Sequence, residues 1–140
     1  MELLLLEQQC DASLESVRSL RSLLEQVTLS TITDKSLRNK IILCLSESAT
    51  NIVKHSSPKA TQIQVRFRQK SQYWMLEIID DGGLYDPLSN TDGLPGQSAE
   101  AESGRGIALL HANCQQIGYL PYNSNQNCII LCWPVDTAST

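Results

Sequence analysis

The chain has 140 residues, enough for one domain of ordinary size with a single buried core. Apolar residues make up 41% and charged residues 19%, a globular rather than a disordered composition. A net charge of −4 argues against a nucleic-acid backbone as the main partner, and no apolar run approaches the length of a membrane span.

Met1–Glu7 is too short for a signal peptide and carries an acid on each side of its leucines, so no export is expected. Leu3–Leu6 fits a short strand or the start of the first helix. Ser13 is a candidate N-cap with Ser16 at the third helical position, and Leu14, Val17, Leu20 and Leu24 then recur at helical spacing. Leu23 and Leu24 are candidates for a homodimer contact or for the chain's own core. Thr33 or Asp34 caps a second helix, from about Lys35 to Lys54. Ile41, Ile42, Leu45, Ala49, Ile52 and Val53 form one stripe of that helix. Cys44, Glu47, Asn51 and His55 form another, expected to face a cleft or water.

Ser56-Ser57-Pro58 ends the helix. Ile63, Val65 and Phe67 alternate with Gln64, Arg66 and Arg68, and Trp74, Leu76 and Ile78 alternate after a turn at 69–72, so the pair reads as an antiparallel hairpin. Asp80-Asp81-Gly82-Gly83 breaks it. The stretch 84–103 has no Lys or Arg and reads as a lid. Gly104-Arg105-Gly106 opens a helix expected to run to about Ile117. Tyr119–Tyr122 is a possible strand, 123–126 a turn, Asn127–Trp133 a buried strand, and 136–140 a frayed tail. The result is one α+β domain over 1–135: a two-layer sandwich of a mixed, largely antiparallel sheet with helices on one face. Five cysteines without a dense framework suit free thiols in a reducing, cytoplasmic setting, with Cys128 and Cys132 on one side of their strand. His111 and Cys114 share a helix face, but no further pair supports a zinc site.

Three features carry chemistry. Glu47 and Asn51 stand four apart, so a carboxylate and a carboxamide meet on one helix face. Such a pair suits proton acceptance at Glu47 and oxygen ligation of Mg²⁺ at Asn51, or simply a solvated surface. Asp80 ends a buried strand beside Gly82, placed to accept from an exocyclic amine or merely to make a turn. Gly104-Arg105-Gly106-Ile107 precedes a helix whose N-terminal N–H groups favour anions, although a glycine pair alone is a weak phosphate signal.

In this order the three features resemble the N, G1 and G2 boxes of the GHKL (Bergerat-fold) ATPases, and most of all the anti-sigma factor serine kinases of that superfamily. The strings are Leu45-Ser46-Glu47-Ser48-Ala49-Thr50-Asn51, Asp80-Asp81-Gly82-Gly83-Leu84-Tyr85-Asp86-Pro87 and Gly104-Arg105-Gly106-Ile107-Ala108-Leu109-Leu110. The resemblance implies that Asp80 and Gly82 bind adenine and that Asn51 holds Mg²⁺. It further implies that Glu47 activates the attacking hydroxyl and that Gly104, Arg105, Gly106 and Ile107 touch the phosphates of ATP. Lys54 is a further candidate to neutralise phosphate charge. Leu84 departs from the pattern, standing where many relatives carry a second glycine. The expected function is a serine/threonine protein kinase acting on a small anti-sigma factor antagonist, with a sigma factor as possible second partner. The alternatives are a nucleotide-dependent binding module without transfer, the ATPase domain of a larger signalling protein, a histidine kinase domain, or a fold without nucleotide. No nucleic acid or membrane partner is expected.

Overall fold

The computed structural model describes residues 2–83, 108–123 and 125–135. The proposed lid at 84–103, Gly104–Ile107 and the tail at 136–140 lie outside them. The chain runs β1 (Glu2–Asp11), α1 (Leu14–Thr31), α2 (Lys35–His55), β2 (Gln62–Lys70), β3 (Tyr73–Asp80), β4 (Gln116–Asn123) and β5 (Gln126–Pro134), with residues 108–113 helical before β4. The strands form one sheet in the order β1-β2-β3-β5-β4. Every ladder is antiparallel, so the expected mixed character is absent among the described residues.

Leu3–Leu6 belongs to a ten-residue strand, not to the first helix. Pairing with β2 decides this. The register sets Glu7 opposite Arg66, whose Nε donates to Glu7 Oε2 at 2.7 Å, and Arg68 forms a second ion pair with Glu2. Opposite charges across a strand pair add to the ladder, whereas a helix would scatter them. A register shift between Leu4 and Leu6 interrupts the pairing.

Both helices start on the capping groups read from the sequence. The Ser13 hydroxyl accepts from Ser16 N–H at 3.1 Å, and Asp34 accepts from Ser36 N–H at 2.9 Å. Val17, Leu20 and Leu24 are buried, whereas Leu14 is 45% exposed because it lies on the first turn, facing outward. Leu24 is fully buried in the chain's own core and Leu23 half-buried. The helix expected to reach Ile117 ends at 113. Gln115 N–H donates to the Cys132 carbonyl at 3.0 Å and Gln116 pairs with Cys132, so the edge of β5 captures this segment as strand. Gly118, a poor helix former, lies within it.

One face of the sheet meets α1 and α2. Ile63, Val65, Phe67, Leu76, Ile78 and Leu131 are fully buried there against Leu20, Leu24, Ile41, Leu45 and Ala49. Phe67 stacks on Trp74, ring centres 5.8 Å apart at 12° between planes. Phe67→Ala is expected to cost about 3–5 kcal/mol. Against a typical total of about 5–15 kcal/mol, a clearly lower urea midpoint with unchanged slope is the expected result.

Candidate nucleotide site

Alternation along β3 places Asp80 on the same sheet face as Leu76 and Ile78, the face α2 covers. It is the last residue of the strand and only 6% exposed. The β3–β5 register puts Asn127 directly across from it. Asp80 Oδ1 accepts from Gly82 N–H at 2.8 Å and from Asn127 Nδ2 at 3.2 Å. Burial pushes the Asp80 carboxyl above the usual carboxylate range, and these two hydrogen bonds only partly offset it. A half-desolvated acid at a strand end is a candidate ligand acceptor on physical grounds.

The two glycines after it are fixed by their neighbours. A Cβ on Gly83 would sit 1.9 Å from the Ser57 carbonyl oxygen, and Gly83 N–H donates to Pro58 O at 2.8 Å. A Cβ on Gly82 would stand 2.9 Å from Ser56 Cβ. Their small size thus lets the β3 end pass against the chain leaving α2, which keeps Asp80 in place. Asp81 has a different task. Burial alone would raise its pKa, but bonds from the Thr61 hydroxyl, Gln62 N–H and Thr61 N–H bring it below the ordinary carboxylate value. It staples the start of β2 to the end of β3. That contribution is present at neutral pH and fades as acid protonates the group.

A pocket opens between α2 and the ends of β3, β4 and β5. Asn51 lines it from the helix side together with Ser48, Ile52 and Ser56. Asp80, Gly83, Asn127, Tyr119, Ile129 and Leu110 complete it. Ser48 is 1% exposed and its hydroxyl has no hydrogen-bond partner among the described residues. The enclosed space is about 30 Å³, room for one or two waters. That is less than a purine occupies, so the pocket must widen to admit one.

The structure brings Asn51 and Asp80 into one pocket, with Gly82 bonded behind Asp80. Glu47 does not line that space; it stands one helical turn before Asn51, half-exposed. Lys54 is exposed and His55 likewise, at the last turn of α2. Cys44, expected on the polar stripe, is fully buried, its thiol 3.8 Å from the Asn113 carbonyl. The segment 108–114 covers it, an event that helix periodicity does not foretell. Gly104, Arg105, Gly106 and Ile107 lie outside the described residues. Sequence reasoning missed Ser48, Tyr119 and Asn127. Asn127 follows from the register: with Trp74 paired to Trp133, counting six residues forward on β3 and six back on β5 sets Asp80 against it.

Among the described residues no group of three or more His, Cys, Asp or Glu side chains is placed to hold a metal, and His111 is exposed. No helix among them is long and apolar enough to cross a membrane. All five cysteines are free thiols.

Comparison with solved structures finds the same fold at low identity in, among others, two bacterial signalling proteins. A structure of the RsbU and RsbW domains of Rv1364c from Mycobacterium tuberculosis aligns over 92% of this chain and 32% of its own, with TM-score 0.61 and 16% identity. The Acinetobacter baumannii histidine kinase AdeS aligns over 96% of this chain and 70% of its own, with TM-score 0.51 and 15% identity. The chain thus spans about a third of the first of these proteins. No curated protein matches the sequence. The family model of the histidine kinase-like ATPase domain matches residues 10–133, from the end of β1 to the end of β5. With that match, the open antiparallel sheet under two helices and the acid-and-amide pocket between them, the chain belongs to the histidine kinase-like ATPase family.

Proposed function

We propose that this chain binds ATP with Mg²⁺ in the pocket between α2 and the β3–β5 strand ends, and transfers the terminal phosphoryl group to a serine or threonine hydroxyl of a small partner protein. The reading treats residues 1–135 as one domain and the chain as a partner-switching regulator in the cytoplasm, of the anti-sigma factor kind. The observation that carries it is Asp80: a buried carboxylate at the end of a central strand, facing a pocket whose opposite wall presents Asn51.

Each residue has a physical part. Asp80 accepts a hydrogen bond from the exocyclic amine of adenine, and Ile52, Leu110 and Ile129 supply apolar contact for the base. Asn51 offers a carboxamide oxygen to the cation. Mg²⁺ is usually carried with phosphates and waters and met by one or two side chains, so one carboxamide oxygen is a sufficient protein ligand. When bound, the ion offsets phosphate charge. Glu47, outside the base pocket and one turn from Asn51, is the proposed acceptor for the proton of the partner's hydroxyl. Lys54, and Arg105 with its flanking Gly104, Gly106 and Ile107, remain proposals for the phosphates.

A second reading, nucleotide-dependent protein binding without transfer, is favoured by the closed state of the pocket, which must rearrange on ligand entry and so can couple occupancy to an outer surface. The test separates the two. Labelled Mg-ATP is mixed with the chain and candidate small partner proteins. Phosphoserine or phosphothreonine on a partner supports transfer; complexes that depend on nucleotide but carry no phosphate support the second reading.

A further inference from the structure

Asn127 is 3% exposed, and its carboxamide is saturated in one sense only. Nδ2 donates to Asp80 Oδ1 at 3.2 Å, to the Gly83 carbonyl at 3.1 Å and to the Gly82 carbonyl at 3.3 Å. Oδ1 accepts from the Tyr119 hydroxyl at 2.5 Å. Rotating the amide by half a turn would press its oxygen against a carboxylate and two carbonyls, so the three acceptors fix its orientation. Buried networks of this kind specify one arrangement because a half-satisfied version is costly. Among the described residues, both hydrogen bonds on Asp80 fall on Oδ1, and none of them donates to Oδ2.

We propose that Asn127, braced by Tyr119, is a positioning residue for base recognition. It holds Asp80 and the Gly82–Gly83 carbonyls in one geometry, so that a single carboxylate oxygen selects purines carrying an exocyclic amine at C6. This rests on the nucleotide-binding reading above. The carboxamide also bonds the Gly82 and Gly83 carbonyls, tying the loop after β3 to β5. Asn127 thereby acts through Asp80.

The probe is a pair of ligands differing only in that amine: ADP and purine riboside 5′-diphosphate. Titration calorimetry on the folded chain with Mg²⁺ is expected to show ADP binding about 10- to 100-fold more tightly, as expected when a site built for a hydrogen bond meets a ligand lacking it. Asn127→Asp is isosteric and sets a second acid against Asp80. It is expected to reduce the ratio to within about threefold. Tyr119→Phe keeps the ring and removes the hydroxyl that donates to Oδ1. It is expected to lower the ratio by about three- to tenfold, with little change in melting temperature. Should Asn127→Asp fail to fold, Tyr119→Phe decides alone. If either folded variant weakens both ligands equally and keeps the wild-type ratio, Asn127 is merely structural and the proposal is overturned. Wild-type protein that binds neither ligand removes the nucleotide reading and this proposal together. Wild-type protein that binds both equally removes this proposal and the Asp80–amine contact, but leaves nucleotide binding itself standing.

Discussion

Asp80→Asn is expected to remove detectable uptake of adenosine phosphates while raising the melting temperature of the ligand-free chain. The two effects share one cause. Asparagine can keep the oxygen that accepts from Gly82 N–H and Asn127 Nδ2, so the local frame survives. It places an NH₂ where the second carboxylate oxygen stood, and a donor then faces the ligand's donor. Loss of a charge-assisted hydrogen bond is worth about 1.5–3 kcal/mol, and the donor–donor contact adds to it, so affinity should fall about 100-fold or more. Stability moves the other way. Burial holds the Asp80 pKa above its unfolded value, so the unfolded chain ionises first as pH rises. Ligand-free stability therefore declines between the ordinary carboxylate pKa and the raised one, and the deficit persists at neutral pH. Asparagine has no such deficit. Melting curves at pH 7 with and without Mg-ADP check both halves, since wild type should gain with ligand and the variant should not.

Glu47→Gln is expected to separate transfer from binding. Glu47 lies outside the base pocket and is half-exposed, so Mg-ADP affinity should stay within about threefold of wild type. A carboxylate that accepts the proton of an attacking hydroxyl is worth about 10²–10⁴-fold in rate, and glutamine keeps its shape without its basicity. Phosphate on the partner protein, followed with labelled ATP, should fall by that factor. Undiminished transfer would take Glu47 out of its role without touching the nucleotide site.

The regular parts of the fold were legible because local pattern and tertiary context agree there. Ile63, Val65 and Phe67 alternate cleanly since only one sheet face is apolar, and Ser13 and Asp34 announce their helices since capping is a local bond. The strand β1 was ambiguous because its support is distant: Glu2 and Glu7 find Arg68 and Arg66 about sixty positions away. The segment after 113 misled for a like reason, since pairing on β5 overrides a helical continuation.

Glu47 was read from the helix stripe but lies outside the pocket; of the pocket's own residues, Asn51 and Asp80 were visible as polar residues breaking apolar periodicity at helix and strand positions. Ser48 and Asn127 were not, because each acquires meaning only from what the fold sets beside it. Ser48 reads as an ordinary helix residue until α2 lies against the pocket. Asn127 reads as the polar start of a strand until the register faces it with Asp80. Cys44 shows the converse error: the 108–114 segment buries a residue that α2 alone would leave outside.

Titration calorimetry of the folded wild-type chain with Mg-ADP, and with Mg-ATP in parallel, bears most directly on the purine pocket under α2. The account predicts saturable uptake of one nucleotide per chain, lost in Asp80→Asn. No heat of binding from well-folded protein at millimolar nucleotide, or binding that Asp80→Asn leaves unchanged, would contradict it.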